Sequence, residues 1–102
     1  QWTRLLGVAS QYTDARGITS DLNGNVYTTG YTTGNLDGQT KTGGYDLFVV
    51  KYDSNGVKQW TRLLGVASQA TTAYGITSDL NGNVYTTGTT SGNLDGQTNT
   101  GI

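Results

Sequence analysis

A chain of 102 residues with only 33% hydrophobic residues, 16 Gly and 19 Thr holds little apolar material for a core, and a domain of this length buries a modest share of its surface. Six basic residues stand against seven Asp, with no Glu, His or Cys; that rules out a disulfide framework and a thiolate metal site, and no basic stripe invites nucleic acid. No stretch approaches the roughly 20 apolar residues that a membrane-spanning helix needs, so no membrane span is expected.

Taken in chain order, the first strand is expected at residues 1–6, where Trp, Thr and Leu suit a pleated, half-buried surface. Strands at 17–21 and 25–31 follow, joined at Asn23-Gly24, a dipeptide that tolerates the positive φ angles of tight hairpin turns. A polar connection over residues 32–44 leads to a strand at 46–52, and Asn55-Gly56 turns the chain into a strand at 59–64. The pattern then returns as strands at 75–79 and 83–89 around Asn81-Gly82, with a polar segment from Thr90 onward. No 3.6-residue apolar period survives the Gly spacing, so essentially no helix is expected.

The return is nearly literal. Residues 1–44 align with 59–102 at an offset of 58, and only seven of the 44 pairs differ: Tyr12/Ala70, Asp14/Thr72, Arg16/Tyr74, Tyr31/Thr89, Thr33/Ser91, Lys41/Asn99 and Gly44/Ile102. The chain thus divides into a first β-repeat, 1–58, and a second, truncated one, 59–102. A period above 50 suggests a propeller blade or another stacked supersecondary unit. Each full unit reads as four strands in an up-and-down meander; because the strand at 46–52 occurs once, seven strands are expected where two blades need eight. Gln1 opens in mid-repeat, as expected of a piece of a longer protein.

The runs Gly17-Ile18-Thr19-Ser20-Asp21, Gly24-Asn25-Val26-Tyr27-Thr28-Thr29-Gly30, Asp46-Leu47-Phe48-Val49-Val50-Lys51-Tyr52-Asp53 and Gln59-Trp60-Thr61-Arg62 resemble the bacterial SBBP β-propeller repeat, in the family order and over nearly the whole chain. The resemblance implies four-stranded blades in secreted or cell-surface proteins, hence an extracellular or cell-surface location. It implies no catalytic residues. Propellers usually need about 4–8 blades to close a ring, so this chain alone cannot be a closed one.

Several clusters invite a functional reading. Asp21-Leu22-Asn23-Gly24-Asn25 and its copy at Asp79 have a superficial likeness to a calcium loop, but such a loop needs further oxygen ligands and a distal Glu; a hairpin turn is the plainer reading. Asn35-Leu36-Asp37-Gly38-Gln39, repeated at Asn93, reads as a solvated loop or as a set of sugar-binding amides and carboxylate. Without His or Cys the usual nucleophile–base pairs cannot form. Asp14, Asp37 and Asp46 offer carboxylates for glycoside chemistry, yet nothing sets them apart from turn acids, and Asp14 becomes Thr72 in the second copy. None of the Gly spacings ends in the Gly-Lys-Ser/Thr of a phosphate loop. Trp2, Trp60, Tyr27, Tyr85 and Phe48 suit a carbohydrate platform or, more simply, packing anchors. No catalytic, cofactor-binding or metal-binding residue is assigned, no cofactor is expected, and the chain is read as not an enzyme.

The expected fold class is all-β: tandem four-stranded meanders of propeller-blade type, incomplete in one chain and completed by strand pairing between chains, with an in-register cross-β stack as the alternative. Unpaired edges recruit other chains unless blocked, and no Pro blocks these. In a stack with the 58-residue offset, Lys41 meets Asn99, Arg16 meets Tyr74 and Asp14 meets Thr72, relieving three like-charge contacts; Arg4 over Arg62, Asp21 over Asp79 and Asp37 over Asp95 remain. The function expected is a non-enzymatic extracellular structural repeat whose partners are copies of itself in a filament or fibril. The alternative is a ligand-binding module of a secreted multi-blade propeller, taking carbohydrate or a cell-surface protein.

Overall fold

The computed structural model of the chain describes residues 2–94 and 97. Its strands form two antiparallel sheets. β1 (Thr13–Ser20), β2 (Val26–Thr32), β3 (Asp46–Tyr52) and β4 (Lys58–Leu64) lie side by side in that order, and β5 (Thr71–Ser78) pairs with β6 (Val84–Thr90). One 3-10 turn, Leu36–Gly38, is the only helical element among the described residues. The all-β meander of the sequence is therefore present, as one four-stranded blade followed by the first half of another.

One expected strand is missing, for an instructive reason. Residues 2–7 form no strand, although residues 59–64, identical to residues 1–6, form most of β4. β4 exists because β3 lies beside it, from Leu47 opposite Leu64 to Tyr52 opposite Lys58. A second copy of β3 for residues 2–6 to pair with is absent among the described residues, so the same sequence forms no strand there. Strand formation here follows the neighbour more than the propensity. Six strands result, and the four-stranded sheet straddles the 58/59 repeat boundary.

Both hairpins carry the same β-bulge. Register shifts between Ala15 and Gly17 and again between Ala73 and Gly75, leaving Arg16 and Tyr74 as the extra residues. The strand opposite must come very close at that point: a Cβ on Gly30 would run into the Asp14 carbonyl, and one on Gly88 into that of Thr72. The hairpin turns fall at the Asn-Gly pairs, as expected, with more than two residues in each loop. The Asp21 N–H donates to the Asn25 carbonyl (3.0 Å) and the Gly24 N–H to the Asp21 carbonyl (3.2 Å), so the loop is longer, and the positive φ falls on Gly24 (81°) and not on Asn23. Gly56 and Gly82 repeat the arrangement at 82° and 83°.

The register sorts the first sheet into two faces. On one, Ile18, Thr28, Val50 and Thr61 lie abreast, followed by Ala15, Gly30, Phe48 and Leu63. Phe48, Val50 and Tyr52 form the core here with Leu36 from the 3-10 turn, and Trp2, Leu6, Val8 and Leu63 pack against it. The other face bears Tyr27, Thr29 and Gly17, and the β5–β6 hairpin stacks upon it. Thr86 Oγ1 lies 3.3 Å from Thr29 Oγ1, and Ser78 Oγ donates to the Ser20 carbonyl at 2.9 Å. A parallel bridge between Tyr45 and Ala70 anchors the crossing.

Candidate functional site

The aspartate turns are self-contained. Asp21 accepts hydrogen bonds from the backbone N–H of Asn23 (2.9 Å) and Asn25 (3.1 Å), from Asn25 Nδ2 (3.0 Å) and from the Tyr27 hydroxyl (2.8 Å). Asp79 repeats all four with Asn81, Asn83 and Tyr85. Asp53 takes three analogous bonds, from Asn55, Val57 and Gln59. With Asn25 Nδ2–H as the main contributor, these donors pull the Asp21 carboxyl down to about 2, and Asn83 does the same for Asp79. Hydrogens thus face both oxygens from the directions in which a cation would have to approach, which favours the turn reading over calcium. Among the described residues no three acidic side chains gather as a metal site.

The three carboxylates considered for glycoside chemistry serve separate local purposes. Asp14 is exposed and pairs with Arg16 at 2.9 Å. Asp46 is 1% exposed and ties down the approach to β3, accepting from Thr42 N–H (2.9 Å), Thr42 Oγ1 (3.2 Å) and Gly43 N–H (2.8 Å). Asp37, at a left-handed φ of 51°, accepts from Lys58 Nζ (2.8 and 2.9 Å) and from Thr61 Oγ1 (2.6 Å). Burial pushes the Asp37 carboxyl up, but the bonds from Lys58 and Thr61 outweigh it and leave it below the usual range. No hydrogen bond joins any two of the three.

The structure does bring together two features far apart in the sequence. The 35–39 loop meets the start of β4, so that Asp37, Gln39, Lys58, Gln59, Trp60 and Arg62 line one shallow groove. Its single aromatic ring is already occupied. The Arg62 guanidinium lies 5.5 Å from the Trp60 ring centre, and Tyr27 is 6.2 Å away. Trp2 is held in the same manner, by Arg4 at 5.9 Å and Tyr52 at 5.6 Å. Phe48 is fully buried. Four of the five aromatics proposed as a platform therefore act as packing anchors, and Tyr85 alone is largely exposed, at 55%. The second loop copy, from Asn93, runs into Asp95 and Gly96, which lie outside the described residues.

What remains open is backbone and sheet face. The outer edge of β2 carries β3, with each of the seven residues from Val26 to Thr32 opposite a partner from Tyr52 to Asp46. β6 matches β2 in every residue but Thr89, yet its outer edge has no strand partner among the described residues. Neither charge nor Pro interrupts Val84–Thr90. The identity of the repeats already signals this edge; the face beside it, and the close approach of Gly17 to the second hairpin, have no signature in a strand pattern that shows only alternation.

A family model described as SBBP, beta-propeller repeat, matches residues 1–37 and 59–95, about three quarters of the chain. No curated protein matches it. The two matched stretches stand at the 58-residue offset, and the blade-and-a-half seen in the strands is what two such units, the second incomplete, would build.

Proposed function

Because this chain belongs to the SBBP β-propeller repeat family, we propose that it is a non-enzymatic structural repeat of the cell exterior that joins copies of itself through β-strand pairing into a filament. One observation carries the reading: β6 is a near-copy of β2, and over Val84–Thr89 the edge on which β2 holds β3 has no strand partner among the described residues. Such an edge is a preformed template for another strand, and the usual protections are missing from it. Among the described residues the template is used once, and a neighbouring copy meets the other. The bound strand gains main-chain hydrogen bonds along its length, with alternate side chains entering the sheet face.

The direct test is a fluorescent peptide of residues 45–58, which holds the whole of β3 and its following turn. Added to the folded chain, it is expected to bind saturably and to protect the backbone amides of residues 84–90 from hydrogen exchange. A peptide of scrambled order should do neither. Equal behaviour of the two peptides, or no protection at β6, would overturn the proposal.

A further inference from the structure

We infer that neighbouring copies also dock face to face: the open face of the β1–β2 hairpin of one copy packs on the open face of the β5–β6 hairpin of the next, repeating between chains the contact made once within each. This rests on the self-assembling reading above and specifies its geometry.

Within the chain, the second hairpin turns Thr71, Ala73 and Ile76 towards the first sheet. Thr71 and Ala73 are buried there, and a Cβ built on Gly17 would stand 3.3 Å from the Ile76 side chain and 3.4 Å from the Gly75 backbone. The first hairpin carries the same residues at the same positions, as Thr13, Ala15 and Ile18. There the cover is partial: Thr13 is half-buried, but Ala15 is exposed and Ile18 is 72% exposed, and with Trp2, Arg4, Leu5 and Leu6 they line a cleft of ≈ 310 Å³. The receiving face shows the converse. On the first sheet Tyr27 and Thr29 are buried; on the second hairpin their counterparts Tyr85 and Thr87 are exposed.

The described residues therefore hold one made interface and both of its halves again, uncovered. The donor patch (Thr13, Ala15, Ile18) and the receiving patch (Gly75, Tyr85, Thr87) carry no charge of their own; Arg4, which lines the same cleft as the donor patch, donates to the Gly56 and Thr3 carbonyls. Because the two patches are different surfaces, the association is heterologous and continues from copy to copy, into a ring if the rotation closes and a filament if it does not. Gly75 is the telling position. In its own chain a Cβ there meets only Thr87 Cγ2, at 3.5 Å. In the docked pair it would press on Ile18 of the neighbour, as a Cβ on Gly17 presses on Ile76.

Ile18→Glu and Gly75→Glu test this in the full chain by sedimentation velocity, with urea unfolding to confirm that each variant is folded. Burying an unpaired carboxylate in the contact should weaken association by about tenfold or more for either variant. Leu80→Glu, on an exposed turn outside both patches, should leave it unchanged. Each disrupted variant keeps the patch that the other has lost, so an equimolar mixture of the two should associate more strongly than either variant alone. If the native chain assembles and both variants assemble equally well, or their mixture associates no more strongly than either alone, face-to-face docking is refuted while strand pairing stands. A native chain that does not associate at all refutes both.

Discussion

Valine placed at Gly17 and at Gly75 should have opposite effects on stability, although the local sequence, the bulge and the strand pairing are the same at both. Gly17 lies opposite Thr29 and Gly75 opposite Thr87, each just after its register shift. Neither has a positive φ, so a branched side chain is allowed by the backbone at both. The difference is what stands above. At Gly17 the first added carbon already meets Ile76 at 3.3 Å and the Gly75 backbone at 3.4 Å, and the two further methyls of valine have no room unless the sheets part. Overpacking of this kind costs about 1–3 kcal/mol. At Gly75 only Thr87 Cγ2 lies near, at 3.5 Å, and replacing a strand glycine relieves its entropic cost, roughly 0.5–1 kcal/mol. Urea unfolding of both variants, at concentrations too low for association, should place Gly17→Val below the native chain and Gly75→Val at or above it. At roughly 4–8 °C per kcal/mol for a domain of this length, thermal melts should separate the two clearly. Equal destabilisation at both positions would mean that the second hairpin does not pack on the face that bears Gly17.

Acid should loosen the hairpin turns in a defined window. Asp21 and Asp79 are held at about 2 when folded, against an ordinary value of 3.8. A depressed carboxyl stabilises the fold above its unfolded value, and that contribution is lost as pH falls from about 4 through about 2; the double variant Asp21→Asn, Asp79→Asn should show a flatter fall in urea midpoint over that window, and a native chain with no such fall would contradict the turn network. Asp46→Asn should destabilise by about 1–3 kcal/mol, since both carboxylate oxygens accept bonds from Thr42 and Gly43 and an amide would set N–H against N–H. Amide exchange at those two residues should speed up more than at the Asp21 turn, and unchanged exchange there would show that the buried carboxylate does not hold the loop.

Much of the fold is legible in the residues, and the exceptions share a cause. The strand at 46–52 lies where its apolar and branched residues place it, and the strands expected at 25–31, 59–64 and 83–89 are shifted or extended by one residue. β1 and β5 begin four residues earlier than expected, because Thr13–Arg16 and its copy lack alternation and pass through a bulge whose existence depends on the strand opposite. Residues 2–6 fail as a strand for want of a neighbour, not of propensity. Leu36 sits in a run of Asn, Asp and Gly that reads as solvated, yet it is fully buried in the core. The burial of Asp46 is likewise invisible in a sequence where every acid resembles a turn residue. The site follows the same rule: the open edge can be counted from the repeats, whereas the donor and receiving faces become visible only when one copy is seen covered and the other bare.

Sedimentation velocity of the native chain from micromolar to millimolar concentration tests the central claim most directly. The weight-average mass should rise steadily above that of the 10.8 kDa monomer as copies join, without any added cofactor. A single monomeric species across the whole range would contradict it.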